Sequence, residues 1–329
     1  MLALVERITG WHWFGFIALV LSLLALDLGV VHRRAHVVRL KEAFLWTVVW
    51  FSLAMLFALA LKPARGEKES LEFLTGYLIE LSLSMDNVFV IALIFAYFRI
   101  PPEHQHRVLF WGILGALIMR GMMIGAGVAL VGWLHWVLYL LGALLLCSGV
   151  RMALVKTDVQ PEKNIVIRWA RKLYPVTSEL DGQKFRTRWN GRTALTPLAL
   201  VLLTVETTDL IFALDSIPAI FAVTLNPFIV FTSNVFAILG LRSLYFVLAG
   251  ALAYFRYLKY GLSLVLVFMG GKMLLDPHDR PARWFQAELP IGLSLAVVAG
   301  IILSSIVLSV AAARRERKGR VDKTAGTGS

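Results

Sequence analysis

Apolar runs of 18 or more residues, repeated along a chain of 329 residues, restrict it to one class of fold. A run of that length crosses the roughly 30 Å hydrocarbon core of a bilayer as a helix, and helices and closed barrels alone satisfy their backbone polar groups there. Nine such spans are predicted, at about 11–31, 43–61, 71–98, 107–131, 134–151, 194–224, 227–254, 258–275 and 289–312. The fold class is therefore all-α and polytopic. The first span has neither a basic head nor a small-residue cleavage site, so it reads as a retained helix and not as a signal peptide. The spans at 71–98 and 194–224 are long. The 28 residues of the former make about 42 Å of helix, which must tilt, protrude or break.

A net charge of +12 raises the question of nucleic acid, and its distribution answers it. With the amino terminus outside, the inner loops and tail hold 24 of the 33 Lys and Arg residues, and the outer segments hold seven. This is the positive-inside asymmetry of a membrane protein, and it predicts the amino terminus outside and the carboxyl terminus cytoplasmic. No nucleic-acid partner is indicated; the partner is the lipid bilayer. One cysteine, Cys147, excludes an intrachain disulfide and argues against a thiolate metal site.

Two segments carry the same apolar motif with the same acids. ELSLSMDNVFVIALIF, from Glu80, places Glu80, Asp86 and Asn87 where DLIFALDSIPAIFAV, from Asp209, places Asp209, Asp215 and Ser216. The match extends outward: GILGALIMR ends at Arg120 as NVFAILGLR ends at Arg242, and GVRM from Gly149 corresponds to GGKM from Gly270. Each unit holds three helices, an odd number, so the second unit enters the membrane from the opposite side. The prediction is an inverted-topology repeat, with a site at the interface of the two units. The chain then divides into two leading helices (1–70), the first repeat (71–152), a basic cytoplasmic connection (153–193), the second repeat (194–276), a last helix (277–312) and a disordered basic tail (313–329). Within the connection, IVIRWARKL at 165–173 reads as a short amphipathic helix, and Asn190-Gly191 as a hairpin turn. Nothing in it resembles a catalytic domain.

Carboxylates within spans cost roughly 2.5–3.5 kcal/mol each on insertion scales, so acids placed there twice at matching positions point to use. Asp27, Glu80, Asp86, Glu206, Asp209 and Asp215 make six, against Arg120 and Arg242 as counter-ions. Two readings stand: a structural salt-bridge network, or a site completed by a divalent cation, protons or both. Asp27, at the inner end of its span, is either part of such a site or turned to water. Pro218 removes a helical hydrogen bond, and Asp215 and Ser216 are good N-cap residues. A break near Leu214–Ser216 is therefore expected, with a weaker counterpart at Asp86-Asn87. His104 and His106 fall in a short loop and do not read as a metal site. An all-oxygen donor set suits Mn²⁺, Mg²⁺ or Ca²⁺. No GxxxxGK[ST] loop is present, so nothing indicates ATP drive.

These segments, with TVETTDLIFALDSIPAIFAVT and NPFIVFTSNVFAILGLRSLYFVLAG, resemble the TerC family of integral membrane proteins, in particular its Alx-like branch. The resemblance implies a bacterial inner-membrane protein linked to tellurium resistance, with members similar to manganese exporters. It carries Glu80, Asp86, Asn87, Glu206, Asp209, Asp215 and Ser216 over as the acidic motif. Thr207 or Thr208 stands where the branch commonly has Ser, so a hydroxyl is kept. The expected function is secondary export of a divalent ion, Mn²⁺ above all, coupled to protons and with no permanently bound cofactor. The alternative is a membrane scaffold that meets stress-response partners.

Overall fold

The computed structural model describes residues 10–26, 40–155, 165–177, 179–189, 191–249, 258–276 and 289–325, with side chains as far as Ala312. The order is α1 (Gly10–Leu26), α2 (Leu40–Arg65), α3 (Glu67–Tyr97), α4 (Pro102–Trp133), α5 (Val137–Leu154), α6 (Ile165–Leu173), β1 (Arg186–Trp189) and β2 (Arg192–Leu195). It continues with α7 (Pro197–Phe221), α8 (Pro227–Ala249), α9 (Leu258–Leu275) and α10 (Ile291–Ala325). Eight of these helices are long and apolar enough to cross a membrane, and α1 is a shorter apolar helix of 17 residues. The protein is thus an all-α polytopic membrane protein. Asp27 lies outside the described residues.

The core is built around α8, which is enclosed on nearly all sides by α2, α3 and α4. Its Phe228, Phe231 and Phe236 pack with Phe16, Phe57 and Phe73 into an aromatic cluster that fastens α1 and α2 to α8 and α3. The contacts between the two triplets fall into matching sets. α3 packs on α8 as α4 packs on α7, while α3 meets α7, α4 meets α8 and α5 meets α9. The α5–α9 contact is backbone against backbone. A Cβ on Gly270 would lie 2.8 Å from both the Gly142 carbonyl oxygen and the Leu146 nitrogen, and one on Gly149 would lie 2.9 Å from the Ser263 carbonyl oxygen. Gly149 and Gly270 are the glycines that begin the corresponding GVRM and GGKM segments, so that part of the repeat serves close packing.

Three expectations are corrected. α7 is continuous through Pro218, and α3 through Asp86-Asn87. Pro218 stands only three residues before the end of α7 at Phe221, so it forfeits a single intrahelical bond in the last turn and has little helix left to break. Neither long span breaks: α3, at 31 residues, runs to about 46 Å, and α7, at 25 residues, to about 38 Å. Finally, α10 continues as helix to Ala325, past the boundary at 313 assigned to a disordered tail. The Ala, Arg, Lys and Glu of that stretch are good helix formers, and its one glycine does not outweigh them.

The basic connection follows its sequence pattern. α6 covers 165–173 and docks through buried Ile167, leaving Trp169 and Leu173 exposed. β1 and β2 pair antiparallel with Trp189 opposite Arg192, and Gly191 in the two-residue link takes φ 75°. Asp181 braces the hairpin from Thr187 at 2.7 Å and Lys184 at 3.2 Å. The Thr187 hydroxyl, then Lys184, hold its carboxyl below the usual carboxylate range.

Candidate functional site

Helical phase decides what the repeated motif builds. At 100° per residue, a position seven along returns to within about 20° of its start, whereas one six along is turned by about 120°. Glu80 and Asn87 therefore share one stripe of α3, Asp209 and Ser216 share one stripe of α7, and Asp86 and Asp215 face elsewhere. The structure divides the motif along this line.

The first face converges on Arg120 of α4, which is 2% exposed. Its guanidinium pairs closely with Glu80, which is fully buried. It also donates to Asp209 through Nε at 3.1 Å and Nη2 at 2.8 Å. Nη1 lies 3.3 Å from Ser216 Oγ and 3.4 Å from Asn234 Oδ1 of α8. One cation thus holds the paired acids of both repeats. Glu206, one turn from Asp209, lies against Gly115 of α4, where a Cβ would overlap its carboxylate. Gly115 is therefore the residue that admits Glu206 between α4 and α7.

The second face looks toward α5 and α9. Asp215 accepts a hydrogen bond from Ser148 Oγ at 2.7 Å and lies within electrostatic reach of Arg151, while Asp86 lies within reach of Lys259. Ile220 of α7 packs beside Gly76 of α3, and Asp209 and Ser216 meet the guanidinium that holds Glu80. α3 and α7 are therefore antiparallel, and the cations that face Asp86 and Asp215 lie at one end of the α5–α9 pair, where Lys259 Nζ bonds the Val155 carbonyl. Among the described residues, no three His, Cys, Asp or Glu side chains stand in a group that could hold a metal ion.

The expected pair of arginine counter-ions is thus incomplete. Lys259 and Arg151 face Asp86 and Asp215, so the five described acids meet more positive charge than Arg120 and Arg242 alone. Arg242 bonds His106 Nε2 at 3.1 Å. A guanidinium can only donate, so that ring nitrogen accepts and the ring proton sits on Nδ1. His106 lies in the first turns of α4 rather than in a loop. Arg242, Asp209 and Ile91 line a cavity of about 20 Å³ between α3, α4, α7 and α8. The hydroxyls of Thr207 and Thr208 bond the carbonyls of Leu203 and Thr204 within α7 itself, so they are committed to their own helix.

Sequence reasoning passed over Ser84, Asn234, Ser148 and Lys259. Ser84 was legible, since it stands one turn from Glu80 on the same stripe. Asn234 was not, because its counterpart in the first repeat is Gly112.

Residues 65–317 match the family model described as the integral membrane protein TerC family. An uncharacterized membrane protein of Myxococcus xanthus is 52% identical over 303 residues, covering 92% of each chain. A protein of Escherichia coli O6:H1 named Alx, a proposed membrane-bound redox modulator, is 45% identical over 323 residues, covering 94% of this chain and 97% of its own. An uncharacterized membrane protein of Rickettsia felis is 39% identical over 301 residues, covering 91% and 97%. No solved structure matches the chain.

Proposed function

Because the chain belongs to the TerC family of integral membrane proteins, we propose that it is a secondary transporter of the bacterial cytoplasmic membrane, carrying a hard divalent cation outward in exchange for protons. One observation carries the reading. Glu80 and Asp209, from corresponding positions of the two repeats, share a single buried guanidinium. Two carboxylates on one cation, with Glu206 beside them, make a net negative centre in a medium that tolerates net charge poorly. In this state Arg120 stands where a cation would stand, as a tethered counter-charge that must withdraw for an ion to load. The matching contacts between the triplets fit an inverted repeat, whose two arrangements would open the centre to either side. Asp86 and Asp215 then serve as carboxylate stations beside the centre, toward α5 and α9.

The donors of this centre are oxygens, which suit Mn²⁺, and Mn²⁺ accepts irregular geometry more readily than Mg²⁺. Outward movement against an inside-negative potential costs about 2.3 kcal/mol per charge per 100 mV, so a counter-flow is required, and carboxylates that give up a cation take protons. The redox role in the relatives' name has less support in this chain. Cys147 is its one cysteine, exposed on α5, and cannot form a dithiol couple within one molecule. A scaffold for tellurium or stress resistance would not need acids paired across two repeats.

Purified protein in liposomes should move Mn²⁺ when a pH gradient is imposed, and slow when it is collapsed. Asp86→Asn and Asp215→Asn should fold and lose at least about tenfold of the flux, as expected of groups that meet the ion in transit. Flux indifferent to the gradient, or faster for Zn²⁺ than for Mn²⁺, overturns the assignment.

A further inference from the structure

Four buried polar atoms of α3 and α8 have no hydrogen-bond partner among the described residues: Glu80 Oε2, Ser84 Oγ, Asn87 Nδ2 and Asn234 Nδ2. Their residues are 0%, 1%, 3% and 1% exposed. Leaving such a group bare typically costs about 1–3 kcal/mol, so four together call for an occupant. Ser84 is the informative one. Buried hydroxyls in helices ordinarily turn back to the carbonyl four residues earlier, as Thr75 does to Leu71 and Ser82 to Leu78, both at 2.7 Å on this same helix. Ser84 does not.

The atoms are also ordered along the helix. Glu80, Ser84, Asn87 and Ile91 fall within an arc of about 60° and cover about 16 Å of α3. Ile91 lines the cavity of about 20 Å³ that Asp209 and Arg242 share, and a cavity needs roughly 10–15 Å³ to hold one water. Beyond it, Arg242 bonds half-buried His106 near the α3–α4 turn. A row of unsatisfied polar groups thus leads from the ion pair to a water-sized space near one end of the bundle.

We propose that Ser84, Asn87 and Asn234, with the free oxygen of Glu80, bind a file of water molecules that carries protons from Glu80 to the His106 end of the bundle. The chemistry of the row selects water over a dehydrated cation. Asn234 turns its Oδ1 to Arg120, so its Nδ2–H must meet an acceptor, whereas Glu80 Oε2 must meet a donor. Water supplies both, and a bare cation only the second. Ser84 is the one member whose free atom can both donate and accept, and it spans the interval between Glu80 and Asn87. A proton leaving Glu80 Oε2, the carboxylate oxygen that Arg120 leaves free, is passed from oxygen to oxygen, each accepting one proton and releasing one. It emerges at the His106 end, which the predicted orientation makes the cytoplasmic one. Ser84 is a relay residue and holds no ion.

The inference rests on the proton-coupled reading above, and two measurements keep the failures of the two apart. A density map sharp enough to show water should reveal ordered water within hydrogen-bond distance of Ser84 Oγ and Asn234 Nδ2, and a row that is dry overturns the file whatever the protein transports. In liposomes carrying a pH-sensitive dye, Ser84→Ala should slow proton counter-flow at least tenfold with equilibrium Mn²⁺ binding unchanged, and Ser84→Thr should restore it. Alanine removes one oxygen and favours helix, so the variant is expected to fold. Wild-type counter-flow in Ser84→Ala, or equal losses in the Ala and Thr variants, refutes the relay. Liposomes in which the wild-type protein moves no Mn²⁺ refute the transport reading and, with it, the release of protons from Glu80.

Discussion

Replacing Arg120 with methionine removes a positive charge of which only 2% is exposed, and keeps most of the side chain's volume. Glu80 and Asp209 are left facing one another, their side chains 0% and 11% exposed. Ser216 and Asn234 lose the same donor. Breaking a buried pair by deleting one partner typically costs about 3–5 kcal/mol, because an uncompensated charge stays behind. Proton uptake by the stranded carboxylates limits the loss and holds it within that range. On the scale of about 2–4 °C per kcal/mol for domains of somewhat smaller size, detergent-solubilised Arg120→Met should melt roughly 6–20 °C below the wild type, followed by tryptophan fluorescence. The decisive comparison uses the background Glu80→Gln with Asp209→Asn. There the same replacement strands no charge, and its cost should fall to about 1 kcal/mol, a strong departure from additivity between residues in contact. An undiminished cost in the neutral background would mean that Arg120 acts through packing, and the shared-cation reading would fail.

Gly270→Val should drive α5 and α9 apart, since its first added carbon already meets backbone on the facing helix. Overpacking of this kind costs about 1–3 kcal/mol, measurable in the same melting assay, and a wild-type melt would show that the helices have room to spare. A reporter fused at Gly182 should lie in the cytoplasm and one at Ala64 outside it. Reports from the same side would remove the basis for the inverted repeat.

How much of this was legible depended on range. Eight of the nine spans, the helix at 165–173 and the hairpin of β1 and β2 follow from local pattern and appear where that pattern put them. The acidic residues were legible as a set, but their partners were not. Arg120 reaches Asp209 across 89 positions of sequence, and Ser148 reaches Asp215 across 67; no periodicity carries that information. Pro218 misled for a different reason. A proline breaks a helix only when enough helix follows it to be displaced, and the chain turns at Ala222 for reasons of its own. The division between Glu80 with Asn87 and Asp86 was within reach of arithmetic, since an offset of six and an offset of seven differ by a full 100°.

Gly66 joins α2 to α3 alone, at φ 96°, a conformation that glycine takes without strain. Arg65 is clamped to Glu69 across the joint, with Nε to Oε2 at 2.5 Å. A one-residue coupling has no slack. α3 cannot advance or retreat along its axis without drawing α2 through the same stroke, and only the angle between the two helices is free to change. α2 presents Phe44, Leu45, Leu56 and Leu59 on its outer surface, so it travels through lipid. Any displacement that carries Glu80 and Asp86 is therefore a movement of two coupled rods, and the drag of the outer one belongs to its kinetics.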